Sequence, residues 1–350
     1  MRTIERIRFL LKNRLSQPRE IVIEVTDRCN LNCPFCFNKL YINRIDAAKE
    51  LAKEEIKKII MKISEADVKV IRFTGGEPLL RKDIFELMDF AFQKGLKVWL
   101  NTNATLINRE NVKKIVKYVD NVLIPLNSFD MQHERHVTGS DGFKSKLKGI
   151  ILLKKNGIRY LRCGTVATKE NILNLEKLHN LVKRLGISDW ELFRVIPLIK
   201  HPLPLNNNDI ALLAEKLLKI NEQERKSYKI ANAIPFCSYE PEKVLKVASG
   251  AKHDDGHTRF VIDTKGMIKP MYYLTEDIGN SLEENVLRSW YNKFMLDMRN
   301  LKLVPEVCKK CKYLDSCKGG SRFVAKLIGK SYGCLDYLAQ PEKYKDFLFQ

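Results

Sequence analysis

Ile21-Val22-Ile23-Glu24-Val25, followed closely by Cys29-Asn30-Leu31-Asn32-Cys33-Pro34-Phe35-Cys36, decides how this chain is read. The first segment is an apolar, strand-like run. The second presents three thiols on one tight loop. A [4Fe-4S] cluster takes four soft ligands, so three cysteines hold three corners and leave one iron open to a small molecule. Structural zinc instead takes four protein ligands and closes its shell. An open corner implies chemistry.

A second β-rich run, Val70-Ile71-Arg72-Phe73, leads into Phe73-Thr74-Gly75-Gly76-Glu77-Pro78. Paired glycines permit φ > 0 and close approach of the backbone. Alone, this segment reads as a turn before a helix and the cysteine loop as a partial zinc site. Together and in this order they resemble the cluster loop and the GGEP segment of radical S-adenosylmethionine (SAM) enzymes, including the aromatic Phe35 before the last cysteine. The resemblance implies that Cys29, Cys33 and Cys36 bind a [4Fe-4S] cluster whose open iron chelates the amino and carboxylate groups of SAM. It places Phe35, Gly75, Gly76 and Glu77 at the cofactor. One electron from the reduced cluster would then yield a 5′-deoxyadenosyl radical that takes a hydrogen from the substrate.

Asn101-Thr102-Asn103 ends the third strand where the family often has Thr-Asn-Gly. Pro125-Leu126-Asn127-Ser128 ends the fourth where it often has Ser-Leu-Asp-Gly. Asn103, Asn127 and Ser128 are therefore expected to face SAM, although helix capping uses the same residue types and Asn127 departs from the family's Asp. His133 and His136, in the following loop, are read as substrate-facing residues or, more simply, as exposed bystanders.

The pattern between residue 20 and about 225 alternates. β-like runs at 21–25, 70–74, 97–102, 121–126, 159–167 and 190–198 are separated by helical stretches near 50–65, 82–94, 109–118, 144–156, 174–185 and 209–225. Six βα units imply parallel strands, with ligands gathering at their carboxyl ends. The resemblance selects a partial (β/α)6 barrel over residues 19–228 from the two architectures such units allow. After Pro235 the character changes, and residues 229–350 are expected to form a second module: a hairpin over 259–270, a helix near 282–299, and a cysteine-dense tail.

In that tail Cys308-x2-Cys311-x5-Cys317, with Cys334 beyond, supplies four thiols where little core is available, so ligation would replace the missing core. Spacing alone suits zinc and [4Fe-4S] equally. The stretch from Gly266 to Cys334 resembles the SPASM extension of peptide-modifying radical SAM enzymes, with Gly279-Asn280-Ser281-Leu282, Trp290 and Cys317-Lys318-Gly319-Gly320 fitting its pattern. Where a full SPASM domain has two cysteines of its first auxiliary cluster, this chain has Met271 and Ser321. The resemblance thus implies one auxiliary [4Fe-4S] cluster on Cys308, Cys311, Cys317 and Cys334. Cys237 is read as a buried cysteine or a ligand to a further cluster, and Cys163, inside a strand, as core. Tyr272 and Tyr273 stand where sulfatase-maturing relatives carry an acidic base, which disfavours serine or cysteine oxidation. Tyr272 is a candidate hydrogen or proton donor, or simply a packed aromatic.

The 350 residues are 45% hydrophobic, ample for a core. Lys+Arg 62 against Asp+Glu 42 gives +20, favouring acidic partners, though the lysines are scattered and form no block. No apolar run is long enough to span a membrane, and nine cysteines in a chain without a secretory signal argue for ligation over disulfides. A cytoplasmic protein is expected. Residues 1–18 read as a basic helix or arm with apolar Ile4, Ile7, Leu11 and Leu15, which either packs on the barrel or touches a membrane peripherally.

The leading functional expectation is crosslinking or epimerisation of a ribosomally made peptide, with an electron donor such as ferredoxin or flavodoxin. The basic surface suits an acidic leader peptide. No winged-helix-type leader-binding segment is seen, so recognition would use another surface. Haem or tetrapyrrole side-chain modification is the alternative, and lipid modification the third. A zinc-containing nucleic-acid-binding protein is disfavoured, since basic patches with interleaved aromatics are absent and GGEP has no role there.

Overall fold

β-branched and aromatic runs set between amphipathic helices leave this chain little choice but parallel strands joined by helical crossovers. The computed structural model describes residues 16–40, 50–187, 189–197, 204–251, 256–274 and 276–349. Six strands, β1 (Glu20–Glu24), β2 (Val70–Thr74), β3 (Lys97–Asn101), β4 (Asn121–Pro125), β5 (Tyr160–Ala167) and β6 (Asp189–Arg194), lie side by side in chain order, each parallel to the next. This is the expected partial barrel. Cys163 is fully buried in β5, as expected of a core residue.

Side chains alternate across each strand. Ile21, Ile23, Ile71 and Phe73 join Ile56, Ile59 and Ile60 of the helix Lys53–Glu65 in the main apolar cluster. Alternate positions Glu20, Glu24 and Arg72 are charged, yet also buried.

β7 (Lys229–Ile230) extends the sheet beyond β6. β8 (Arg259–Ile262) pairs in parallel with the free edge of β1, and β9 (Met267–Lys269) and β10 (Gly279–Asn280) follow antiparallel. The hairpin expected to open a second module is thus hydrogen-bonded into the barrel's own sheet.

Two of the expected segments beyond the strands differ, a helix and a loop. The helix near 282–299 is two, Val286–Trp290 and Lys293–Arg299. Asn292 lies between them in extended geometry and accepts from the N–H of Phe294 at 2.9 Å, starting a second helix instead of continuing the first. The segment read as a loop around His133 is a helix, Met131–Thr138, capped by Asp130, which accepts from His133 N at 2.8 Å. His133 is buried and stacked on Phe129 at 4.3 Å, so it is neither a loop nor an exposed residue. The apolar positions Ile4, Ile7, Leu11 and Leu15 lie outside the described residues. Among the described residues no helix is long and apolar enough to cross a membrane.

Buried ion pairs bind the tail to the barrel. Glu20 takes Arg72 on one carboxylate oxygen, at 2.7 and 3.1 Å, and Arg259 on the other at 2.6 Å. Arg194, at the end of β6, grips Asp336 bidentately at 2.6 and 3.0 Å, and Asp336 also accepts from Ser321 N. Burial alone would raise the Glu20 pKa, but the two guanidiniums outweigh it and bring it to about 2.

A carboxylate depressed in the fold contributes stability above its unfolded value, 4.5, and loses it as pH falls towards about 2. Glu20→Gln should therefore cost about 3 kcal/mol at pH 7. The gap between wild type and variant in urea unfolding should narrow steadily below pH 4.5. A gap independent of pH would contradict this account of the ion pair.

Candidate active site and a second cysteine cluster

The cysteine loop begins where β1 ends, and the Gly-Gly segment begins where β2 ends, so adjacent parallel strands deliver both to the same rim. There the backbones continue to pair. Val25 N donates to Thr74 O at 2.9 Å, Gly76 N to Thr26 O at 2.7 Å and Glu77 N to Arg28 O at 2.8 Å. Gly75 has φ +141°, and a Cβ on Gly75 or Gly76 would collide with the carbonyl oxygen of Thr26 or Arg28 respectively. The close approach these glycines permit is to the chain's own cysteine loop.

Glu77 is fully buried. Its carboxylate accepts from Thr102 Oγ1 and Asn103 N, each at 2.7 Å, and from Leu79 N at 3.0 Å, tying the end of β2 to the end of β3. Burial nevertheless raises its pKa. Asn103 Nδ2 donates to Asn30 Oδ1 inside the cysteine loop at 2.9 Å, and its amide also supports the Cys29 sulfur. Leu31 N points at the same sulfur at 3.4 Å.

Asn127 accepts from Val166 N at 2.8 Å, linking β4 to β5. The Ser128 hydroxyl is fully buried with no hydrogen-bond partner among the described residues. Phe35 is in the main apolar cluster. Cys29, Cys33 and Cys36 are half-buried and electrostatically coupled. Burial and then the charges of Cys36 and Cys29 push the Cys33 thiol up to about 12, so a thiolate there needs cationic company such as iron. No three His, Cys, Asp or Glu side chains among the described residues close round a single ion.

Several residues at this rim were missed by sequence reading. Lys269 of β9 pairs with buried Glu24 at 3.0 Å, and Asn38 bridges Glu24 to the Gly75 carbonyl. Thr264 donates to Asp27 at 2.9 Å. Buried Lys146 and Glu134 pair at 2.7 Å, close enough for Lys146 to favour a Cys33 thiolate. Glu24 did leave a signal: a charge on the inward register of an otherwise apolar strand. Tyr272 packs against Phe37, the residue after Cys36, at 5.4 Å and near the Arg259 guanidinium, so the hairpin's aromatic reaches the cysteine loop.

Residues 23–185 match the family model described as the radical SAM superfamily. These residues form a radical SAM domain. It is 26% identical over 330 residues to an AdoMet-dependent heme synthase of Oleidesulfovibrio alaskensis, covering 86% of this chain and 82% of the relative. It is 29% identical over 183 residues to a PqqA peptide cyclase of Granulibacter bethesdensis, about half of each chain, 52% and 48%. In fold it resembles Streptococcus suis SuiB solved with the precursor peptide SuiA, with a TM-score of 0.75 over 96% of this chain and 79% of that one, at 22% identity.

In this radical SAM enzyme the tail cysteines gather at a distance in sequence from the loop. Cys308, Cys311 and Cys317 line one narrow cavity with Cys237, which the sequence left between core and ligand. Cys334 donates to the Gly329 carbonyl at 3.1 Å. Met271 is buried in a small apolar cluster with Tyr273, Met298 and Phe323, and Ser321 caps the helix Arg322–Gly329.

The glycine contacts carry a direct expectation. Gly76→Ala pushes a methyl into the Arg28 carbonyl, so iron bound per chain should fall by about four while far-UV circular dichroism stays native. Full iron content in Gly76→Ala would show that the loop tolerates displacement.

Proposed function

We propose that Cys29, Cys33 and Cys36 hold the SAM-binding [4Fe-4S] cluster, that the tail holds one auxiliary [4Fe-4S] cluster, and that the enzyme modifies a ribosomally made peptide by crosslinking or epimerisation. The single observation that carries the site is the pairing of the cysteine loop with Gly75-Gly76 at the rim of the barrel. The three coupled thiols, the orphaned Ser128 hydroxyl and the carboxyl ends of the strands around them suit a cluster with a polar small molecule beside it. When bound, cluster and SAM together supply a carbon radical that removes a substrate hydrogen.

The chain's own residues position and enclose. Glu77 locks the ends of β2 and β3 under the loop, and Asn103 steadies the Cys29 side of it. Ser128 and Asn127 border the same rim. Tyr272, beside Phe37, stands where a hydrogen or proton donor to the substrate would be useful, and burial raises its pKa so that it keeps its proton at neutral pH. One auxiliary cluster, not two, is supported by Met271 and Ser321, whose places are given to apolar packing and helix capping.

A peptide substrate is supported by the fold shared with SuiB and by a charge of +20 suited to an acidic leader. Ferredoxin or flavodoxin would supply the electron. All nine cysteines are unbridged, in keeping with a cytoplasmic setting. A second reading, tetrapyrrole side-chain modification, is favoured by one observation: the likeness to the Oleidesulfovibrio alaskensis heme synthase runs over 86% of the chain, whereas that to the Granulibacter bethesdensis peptide cyclase covers 52%.

Anaerobically reconstituted, reduced enzyme given SAM should form 5′-deoxyadenosine, and Cys29/Cys33/Cys36→Ala should form none. Short peptides encoded beside the gene should accelerate turnover and gain a crosslink or a D-residue. Acceleration by iron-coproporphyrin and not by peptide would overturn the peptide assignment.

A further inference from the structure

Four cysteines, not three, face the cavity at the base of the tail. Phe236-Cys237-Ser238 forms a single turn just after β7, and Gln340 N donates to the Cys237 carbonyl at 3.2 Å, holding this turn against the C-terminal segment. Cys308 and Cys311 share a tight turn, with Cys311 N donating to Cys308 O at 3.1 Å. Cys317 N donates to Tyr313 O at 2.9 Å. These elements meet so that Cys237, Cys308, Cys311 and Cys317 line the cavity together with Phe236 and Tyr313.

The Cys317 sulfur is surrounded by backbone donors. Phe236 N reaches it at 3.4 Å, and the N–H groups of Gly320 and Gly319, both at positive φ, also favour charge on it. Hydrogen bonds of this kind stabilise cluster-bound thiolates and set their potential.

Cys334 is placed otherwise. It does not line the cavity, and its thiol is turned to the Gly329 carbonyl at 3.1 Å. Arg322 fixes that turn by donating to the carbonyls of Tyr332 and Cys334 at 2.9 and 2.7 Å.

We infer that the auxiliary cluster is held by Cys237, Cys308, Cys311 and Cys317, with Cys334 outside the ligand set. The inference rests on the proposal that the tail binds one [4Fe-4S] cluster, and changes which chain segments it joins. With Cys237 as ligand, the cluster ties the segment just after β7 to the tail, closing a long loop and adding the stability that such a closure gives. Four thiols lining one cavity supply the complete set of soft ligands that a [4Fe-4S] cluster takes.

The test uses the full chain carrying Cys29/Cys33/Cys36→Ala, so that only the tail binds iron. After anaerobic reconstitution it should hold about four irons. Adding Cys334→Ser should leave iron, the electron paramagnetic resonance signal and the unfolding temperature unchanged. Adding Cys237→Ser should lower iron to three or fewer and lower the unfolding temperature, as Cys308→Ser does. Loss of iron in Cys334→Ser overturns the inference by itself, whether or not Cys237→Ser folds. A parent that binds no iron overturns the auxiliary cluster as a whole, and zinc in its place overturns the cluster while leaving the radical SAM site untouched.

Discussion

Hydrogen bonding between two strand ends that refuse to part carries the rest of this molecule. Here Gly76 and Glu77 keep donating to Thr26 and Arg28 beyond the last sheet residues, and only residues without a Cβ fit at 75 and 76. The cysteine loop is therefore an outgrowth of the sheet and not a free loop. Glu77, Thr102, Asn103 and Asn30 extend the same rigidity to β3. Radical chemistry needs such a mount, because a reactive carbon must meet one C–H bond and no other.

A second constraint comes from inside the barrel. The inward register of β1 and β2 carries Glu20, Glu24 and Arg72, charges that are costly to bury unless paired. Their partners Arg259 and Lys269 come from β8 and β9, so the barrel's interior is completed only when the hairpin docks on the edge of β1. Arg194 and Asp336 do the same at the end of β6. Barrel and tail are thereby mutually dependent, and the hairpin brings Tyr272 to Phe37 at the loop.

The barrel was legible because its signal is local: short β-branched runs, helical periodicity between them, and two motifs at strand ends. Each strand was located to within a residue or two, except that β6 ends at Arg194. Contacts between distant segments were not legible. Nothing in Ile234-Pro235-Phe236-Cys237 announces a neighbour at Cys317, and no local pattern pairs Glu20 with Arg259. Glu77 illustrates the middle case: the motif identified the residue, but its three hydrogen-bond partners emerge only once β2 and β3 lie side by side. Asn292 divided a continuous helical pattern because its side chain caps the following turn better than it continues the preceding one.

The central claim is that the loop at Cys29, Cys33 and Cys36 carries a cluster with one iron open to SAM. Electron paramagnetic resonance of the reduced, reconstituted enzyme before and after adding SAM tests it most directly. One signal, absent from Cys29/Cys33/Cys36→Ala, should shift on addition of SAM while the signal that survives in that variant stays fixed. Spectra indifferent to SAM in the wild-type enzyme would contradict the account.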